Sequence, residues 1–166
     1  MRGIGSGTNS GFEQSVAIFQ DGIYFGRGHQ AKFPLLDIER VEIIKGPQAV
    51  MFGKNATAGA LSLTTRKPQT GEDGISGKID MSYGTDAQQN LSAALNLPVN
   101  DELAFRIAAF GHSEDGYLKN QVRDQDEVAS EASGFRLSAL WEPSENLSLL
   151  VQLENGQFEI KKGVRY

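Results

Sequence analysis

Five stretches between residues 76 and 155 repeat one rule: every second residue is apolar, and the residues between, Leu140 and Leu150 apart, are polar or small. Ile79, Met81 and Tyr83 alternate with Lys78, Asp80 and Ser82. Leu91, Ala93, Leu95, Leu97 and Val99 alternate with Asn90, Ser92, Ala94 and Asn96, and Leu103, Phe105, Ile107 and Ala109 with Ala104, Arg106 and Ala108. Phe135, Leu137, Ala139 and Trp141 oppose Arg136, Ser138, Leu140 and Glu142. Leu147, Leu149, Val151 and Leu153 oppose Ser148, Leu150, Gln152 and Glu154. Side chains on a strand point to alternate faces, so each stretch predicts a strand with one apolar face.

The connections alternate in length too. Asn100-Asp101 and Pro143-Ser144-Glu145-Asn146 read as short turns, and His112 to Ser133 as a long polar loop. Short turns at one end and long loops at the other suit an up-and-down transmembrane meander. A soluble sandwich alternates as well, and the pattern alone leaves both open. No run of about 18 apolar residues is present, which excludes a transmembrane helix but not a barrel.

Composition narrows the chemistry. The chain has no cysteine, so disulfide frameworks, Cys-based zinc sites and thiol nucleophiles are excluded. Residues 1–70 hold eight Lys/Arg against five Asp/Glu, and residues 71–166 eight against sixteen. This change of sign predicts two regions in different surroundings. Neither has the basic stripe of a nucleic-acid interface, so no nucleic-acid partner is expected. The boundary falls at the Pro/Gly-rich stretch Lys67 to Gly74, which gives domains 1–70 and 71–166.

The first region mixes short elements. Val16–Phe19 and Ile23–Phe25 flank Asp21-Gly22, the signature of a hairpin. Val41–Ile44 is a β-branched run stopped by Gly46-Pro47, and Pro47 suits the first position of a helical turn over Gln48–Phe52. Ala60–Thr65 alternates as a strand. The expected fold is therefore mainly β: a small α+β unit, then an antiparallel meander of about five strands.

The stretch from Asp37-Ile38-Glu39-Arg40-Val41-Glu42-Ile43-Ile44-Lys45-Gly46-Pro47 through Phe52-Gly53-Lys54-Asn55-Ala56 to Arg66-Lys67-Pro68, with Arg2-Gly3 and Val16 to Asp21-Gly22 before it, resembles the plug domain of TonB-dependent outer-membrane receptors. The likeness is close over residues 2–68, and over 76–155 it rests on the strand pattern. It implies the last part of a plug followed by the first strands of a barrel of about 22 strands. By the same likeness the signal peptide, the TonB-contacting segment and the start of the plug would lie upstream, with Met1 an internal methionine, and the remaining strands downstream. The start of the chain shows no charged segment leading into an apolar run.

What the resemblance implies about function is energised uptake across the outer membrane of a Gram-negative bacterium, with TonB and a ferric siderophore or similar ligand as partners and membrane lipid around the barrel. No enzyme activity and no cofactor are expected. Arg2 and Lys45 occupy the positions of the plug's basic residues that pair with barrel-wall glutamates in later strands. Ordinary solvated surface charge explains either one equally well. Ser6–Glu13 and Gly26–Ala31 match the plug loops that floor the ligand site, and Arg27, His29 and Gln30 would contact the ligand there. The bland alternative is polar side chains wetting a glycine loop. The loop His112–Ser133 would be extracellular, the turns at Asn100 and Ser144 periplasmic, and Tyr83 and Trp141 would mark opposite membrane interfaces.

Other motifs fail on their geometry. Six residues separate Gly46 from Gly53-Lys54 and Asn55 follows the lysine, whereas a phosphate loop needs four and a Ser or Thr. Gly3-Ile4-Gly5-Ser6-Gly7 lacks a preceding strand. His29 and His112 lie far apart in sequence, which gives a metal site or catalytic triad little support. The remaining rival is a soluble β-rich binding module.

Overall fold

The computed structural model describes residues 13–27, 35–47, 56, 58–71, 74–85, 87–115, 118–120, 125–127 and 129–161, with side chains at all of these except 13–15, 27, 118–120, 125–127 and 160–161. Among the described residues every regular element is a strand. The chain forms two compact units, Met1–Arg66 and Lys67–Tyr166. The expected helical turn over Gln48–Phe52 lies outside the described residues.

The first unit is a four-stranded sheet in the order β2-β1-β4-β3, built from β1 (Glu13–Gln20), β2 (Ile23–Arg27), β3 (Ile38–Lys45) and β4 (Gly59–Thr65). β1 and β2 form the expected hairpin around Asp21 and Gly22, both at positive φ (49° and 82°). Two successive left-handed residues make the turn whose twist matches that of the flanking strands, and Asp-Gly tolerates that conformation best. β1 also pairs with β4 in parallel, Gln20 opposite Leu63. Parallel pairing puts the hairpin turn beside the end of β4. The Asp21 N–H donates to Leu63 O at 2.9 Å. Its carboxylate accepts from Thr65 N–H at 2.9 Å and from Thr65 Oγ1 at 2.7 Å.

Alanine dominates the core of this unit. Ala17 and Ala60 sit opposite each other in the parallel register, and with Ala56 they are fully buried against Phe19, Tyr24 and Ile44. Side chains this small let backbones approach closely, and the tilted Phe19–Tyr24 pair, centroids 5.4 Å apart, fills the remaining space. β3 is an edge strand whose Glu39, Arg40 and Glu42 are exposed, and charge on an edge discourages pairing with another chain.

The second unit is a five-stranded antiparallel sheet of β5 (Ser76–Tyr83), β6 (Gln89–Pro98), β7 (Leu103–Glu114), β10 (Ala129–Ser144) and β11 (Leu147–Lys161), in the order β11-β10-β7-β6-β5. A small hairpin, β8 (Leu118–Asn120) with β9 (Gln125–Glu127), stands between β7 and β10. The up-and-down order and the antiparallel pairing of β6 with β7 agree with the sequence reading. Two of its boundaries need correction. The expected loop from His112 to Ser133 is shorter, because β7 runs on to Glu114 and β10 begins at Ala129. The four-residue turn at Pro143 is a two-residue turn, because β10 continues to Ser144 through an irregularity between Trp141 and Ser144. Pro143 lies in that irregularity, where its missing N–H costs no ladder bond. The turn before β7 is made by Asn100, whose Oδ1 accepts from the N–H groups of Glu102 and Leu103 at 2.9 and 2.8 Å.

Candidate functional site

The five-stranded sheet has two unlike faces, and burial is distributed between them in reverse of a soluble protein. The large apolar side chains of the alternating pattern are exposed: Met81 is 79% and Leu153 60% accessible, and Ile79, Leu95, Ile107 and Leu137 are exposed with them. On the other face Ala104 and Ala108 are buried, together with Asn96, Arg136 and Ser138. A contiguous exposed apolar face of this kind needs a nonaqueous partner.

The outline of that face identifies the partner's shape. Met81, Leu91, Gly111, Ser133 and Gln157 share one register row across the sheet. On β5 the highest outward apolar residue of the band is Met81, in that row. On β11 it is Leu153, four residues below that row's Gln157. The upper edge thus falls by about one residue per strand, and with about 3.4 Å per residue and about 4.8 Å between strands the slope is about 35°. Strands of transmembrane barrels tilt by about 35–45°. An apolar band that slants across the register at this angle is level in space when the strands are tilted. On β6 it runs from Leu91 to Val99, about 27 Å along the strand and about 22 Å once tilted. Tyr83 lies just above the band on β5 and Trp141 at its lower end on β10, both exposed. The band ends directly at the two short turns. At the opposite end β10 and β11 continue past it, and Ala129–Ser133 and Asn155–Glu159 there are largely polar on both faces.

The opposite face carries linked polar groups. Arg136, 3% exposed at its side chain, faces its register partner Glu154, 28% exposed, with Nε donating to Oε2 at 2.8 Å. Nearer the polar end, Asn90 Nδ2 donates to Ser82 Oγ at 3.0 Å, which turns its Oδ1 toward His112 Nδ1 at 2.6 Å. The other ring nitrogen, Nε2, meets Ser130 Oγ at 3.1 Å. Between these groups, Phe110, Gly134 and Gly156 share a row. A Cβ on Gly134 would stand 2.7 Å from Asn155 O and 2.8 Å from the Phe110 ring. Gly134→Val is expected to destabilise the full-length protein by about 1–3 kcal/mol, measured as a lowered midpoint of chemical unfolding, while Gly111→Ala, with nothing within 4 Å of its Cβ, leaves it unchanged.

Asn96, 2% exposed on the same face, is bonded to the first residues of the second unit. Its Oδ1 accepts from Gln69 N–H and its Nδ2 donates to Gln69 O, both at 2.9 Å. Sequence reasoning did not single out Asn96, Arg136 or Glu154, and weighed His112 only for a metal site or a triad. Their signal was faint: polar residues at alternate positions, which any half-buried strand carries.

The residues singled out from the sequence are only partly described. Lys45 ends β3, opposite Gly59, and is exposed just before Gly46 at φ 90°. The backbone of Arg27 ends β2 opposite Glu13, while its side chain and all of Arg2, His29 and Gln30 lie outside the described residues. Among the described residues no group of three or more His, Asp or Glu is placed to hold a metal.

Residues 1–60 match the TonB-dependent Receptor Plug Domain family. The ferrioxamine receptor of Yersinia enterocolitica is 24% identical over 153 residues, 92% of this chain and 20% of that receptor. The metal-pseudopaline receptor CntO of Pseudomonas aeruginosa is 31% identical over 96 residues, 51% of this chain and 14% of that receptor. Among solved structures, the ferric yersiniabactin uptake receptor FyuA of Yersinia pestis superposes with a TM-score of 0.69 at 20% identity, covering 81% of this chain and 21% of that one. The pyoverdine outer-membrane receptor FpvA of Pseudomonas aeruginosa, bound to pyoverdine, gives 0.71 at 15% identity, over 90% and 21%. The chain spans about a fifth of the length of the ferrioxamine receptor.

Proposed function

The chain belongs to the TonB-dependent receptors, a plug followed by barrel strands, and from that premise we propose that its protein imports a ferric siderophore across the outer membrane, driven by TonB. The observation that carries the reading is the level apolar band around a polar inner face, a surface made for lipid outside and water inside. It disfavours the soluble binding module, which would bury the same residues. Relatives named as receptors for ferrioxamine, metal-pseudopaline and ferric yersiniabactin support a metal chelate as the cargo, and the iron chelates among them favour iron. The test is uptake of radiolabelled ferric ferrioxamine by cells carrying the full-length receptor, with TonB present or deleted. Uptake should require both proteins. Uptake that persists without TonB overturns the energised mechanism, and none with either background overturns this cargo.

Three finer assignments belong to the same reading. Arg27, His29 and Gln30 form part of the ligand floor, where a guanidinium suits an anionic chelate. Changing Arg27 and His29 to alanine should weaken ligand binding at least tenfold with barrel assembly intact; unchanged affinity would make that loop a linker. Arg2 and Lys45 hold the plug to carboxylates of the barrel wall. The polar overhang of β10 and β11, with the β8–β9 hairpin, faces outward from the cell, and the turns at Asn100 and Ser144 face the periplasm. A cysteine at Asp124 in the full receptor should react with an impermeant maleimide on intact cells and one at Ser144 should not. The opposite pattern would invert the topology.

A further inference from the structure

Two side-chain clamps bracket the junction between the units. Thr65, the last residue of β4, is held by Asp21 through both its N–H and its hydroxyl. Four residues on, both main-chain groups of Gln69 are held by the buried carboxamide of Asn96. A carboxamide offers its acceptor and its donor on two separate atoms, as a peptide group does, so Asn96 acts as a length of strand partner for Gln69. The next residue but one, Gly71, donates to Asn100 O at 3.4 Å, and Pro68 is buried. Arg66 and Lys67 are exposed.

From this arrangement we propose that Asn96 is a fixed stop: Gln69 stays with the barrel strands throughout the working cycle, and any displacement of the first unit, to which the Arg66 N–H is bonded through Asp37 O at 3.0 Å, is taken up by Lys67 and Pro68 and by what precedes Arg66. The inference rests on the transport reading for its working cycle, but the clamp itself does not. With Asp21 and Asn96 on opposite sides of the two-residue strap Lys67-Pro68, loss of one hold leaves the other in place. A pull transmitted along β4 then ends at Gln69 and never reaches β5, whose pairing with β6 starts at Ser76.

Two measurements on the full-length receptor decide it. Hydrogen exchange should show the Gln69 amide protected, with Asn96→Ala raising its exchange at least tenfold while Thr65 keeps its protection, and Asp21→Ala doing the reverse. Asn96→Asp retains the acceptor and loses the donor, and should fall between. If either alanine variant releases both amides together, the two clamps are one unit and the stop does not exist. The second measurement uses a disulfide between cysteines replacing Gln69 and Asn96, which makes the hold permanent. Ligand uptake should be the same within twofold before and after reduction. Uptake that is blocked when the bond is formed and restored by reductant would mean that the hold must open, and overturns the proposal. A receptor that transports nothing in either state refutes the transport reading, and the exchange result still decides whether the clamps are independent.

Discussion

Arginine at Ile107 should lower the stability of the assembled barrel by about 2–4 kcal/mol, while arginine at Asn155, on the same sheet face, should be tolerated. Ile107 lies in the middle of the apolar band on β7, and a cation at the bilayer midplane of a barrel costs about 2–4 kcal/mol, falling to about 0–1 near the interfaces. Asn155 shares a register row with Ile79, Ala93, Ala109 and Phe135, yet lies above the slanted edge on β11. Ile79→Arg and Asn155→Arg therefore test the slant directly: one row, one substitution, a penalty of about 1–2 kcal/mol in the first and near zero in the second. Unfolding of the full receptor by denaturant in lipid vesicles measures all three. Equal penalties at Ile79 and Asn155 would mean that the band follows the register rather than the membrane plane, and a soluble sandwich would again be open.

The second large effect is electrostatic. Removing Glu154 deprives a nearly inaccessible Arg136 of the carboxylate 2.8 Å away. Breaking a fully buried pair costs about 3–5 kcal/mol. Glu154 retains 28% exposure, so Glu154→Ala is expected nearer about 2–4 kcal/mol. The double variant Arg136→Met, Glu154→Leu should be less damaging than Glu154→Ala alone, because it removes the buried guanidinium along with the carboxylate that balances it. A double variant worse than the single one would show that Arg136 has a further task on that face. Both comparisons are read as unfolding midpoints of the full receptor.

The strands that were legible in the sequence are those whose two faces meet different media. Leu103 to Ala109 and Phe135 to Trp141 alternate because one side chain in two meets an apolar surround and the next a polar one. The continuations of β7 to Glu114, of β10 from Ala129 and of β11 to Lys161 went unread for the same reason. There the backbone ladder continues while the two faces become alike, so no period-two contrast remains in Gly111-His112-Ser113-Glu114 or Ala129-Ser130-Glu131-Ala132-Ser133. The hairpin at Asp21-Gly22 was legible because its conformation restricts the residue type. The second role of Asp21, holding Thr65, was not, since it depends on the parallel partnership of β1 with β4 across 44 positions. Asn96 was hidden among the polar alternates of β6, and only its contact with Gln69 distinguishes it from Ser92.

The unequal overhang at the two ends of the apolar band bears on how such a sheet gets into a membrane and why it stays. To reach the proposed placement, the polar ends of β10 and β11, with Glu131 and Glu159, must cross the hydrocarbon once, during assembly. The short turns, with Asp101, Glu102 and Glu145, never cross it. Reversal would require dragging the larger polar mass back through the layer. Orientation would then be a memory of the insertion route: whichever end led first is locked outside by a kinetic barrier, even where the charges at the two ends would balance at equilibrium.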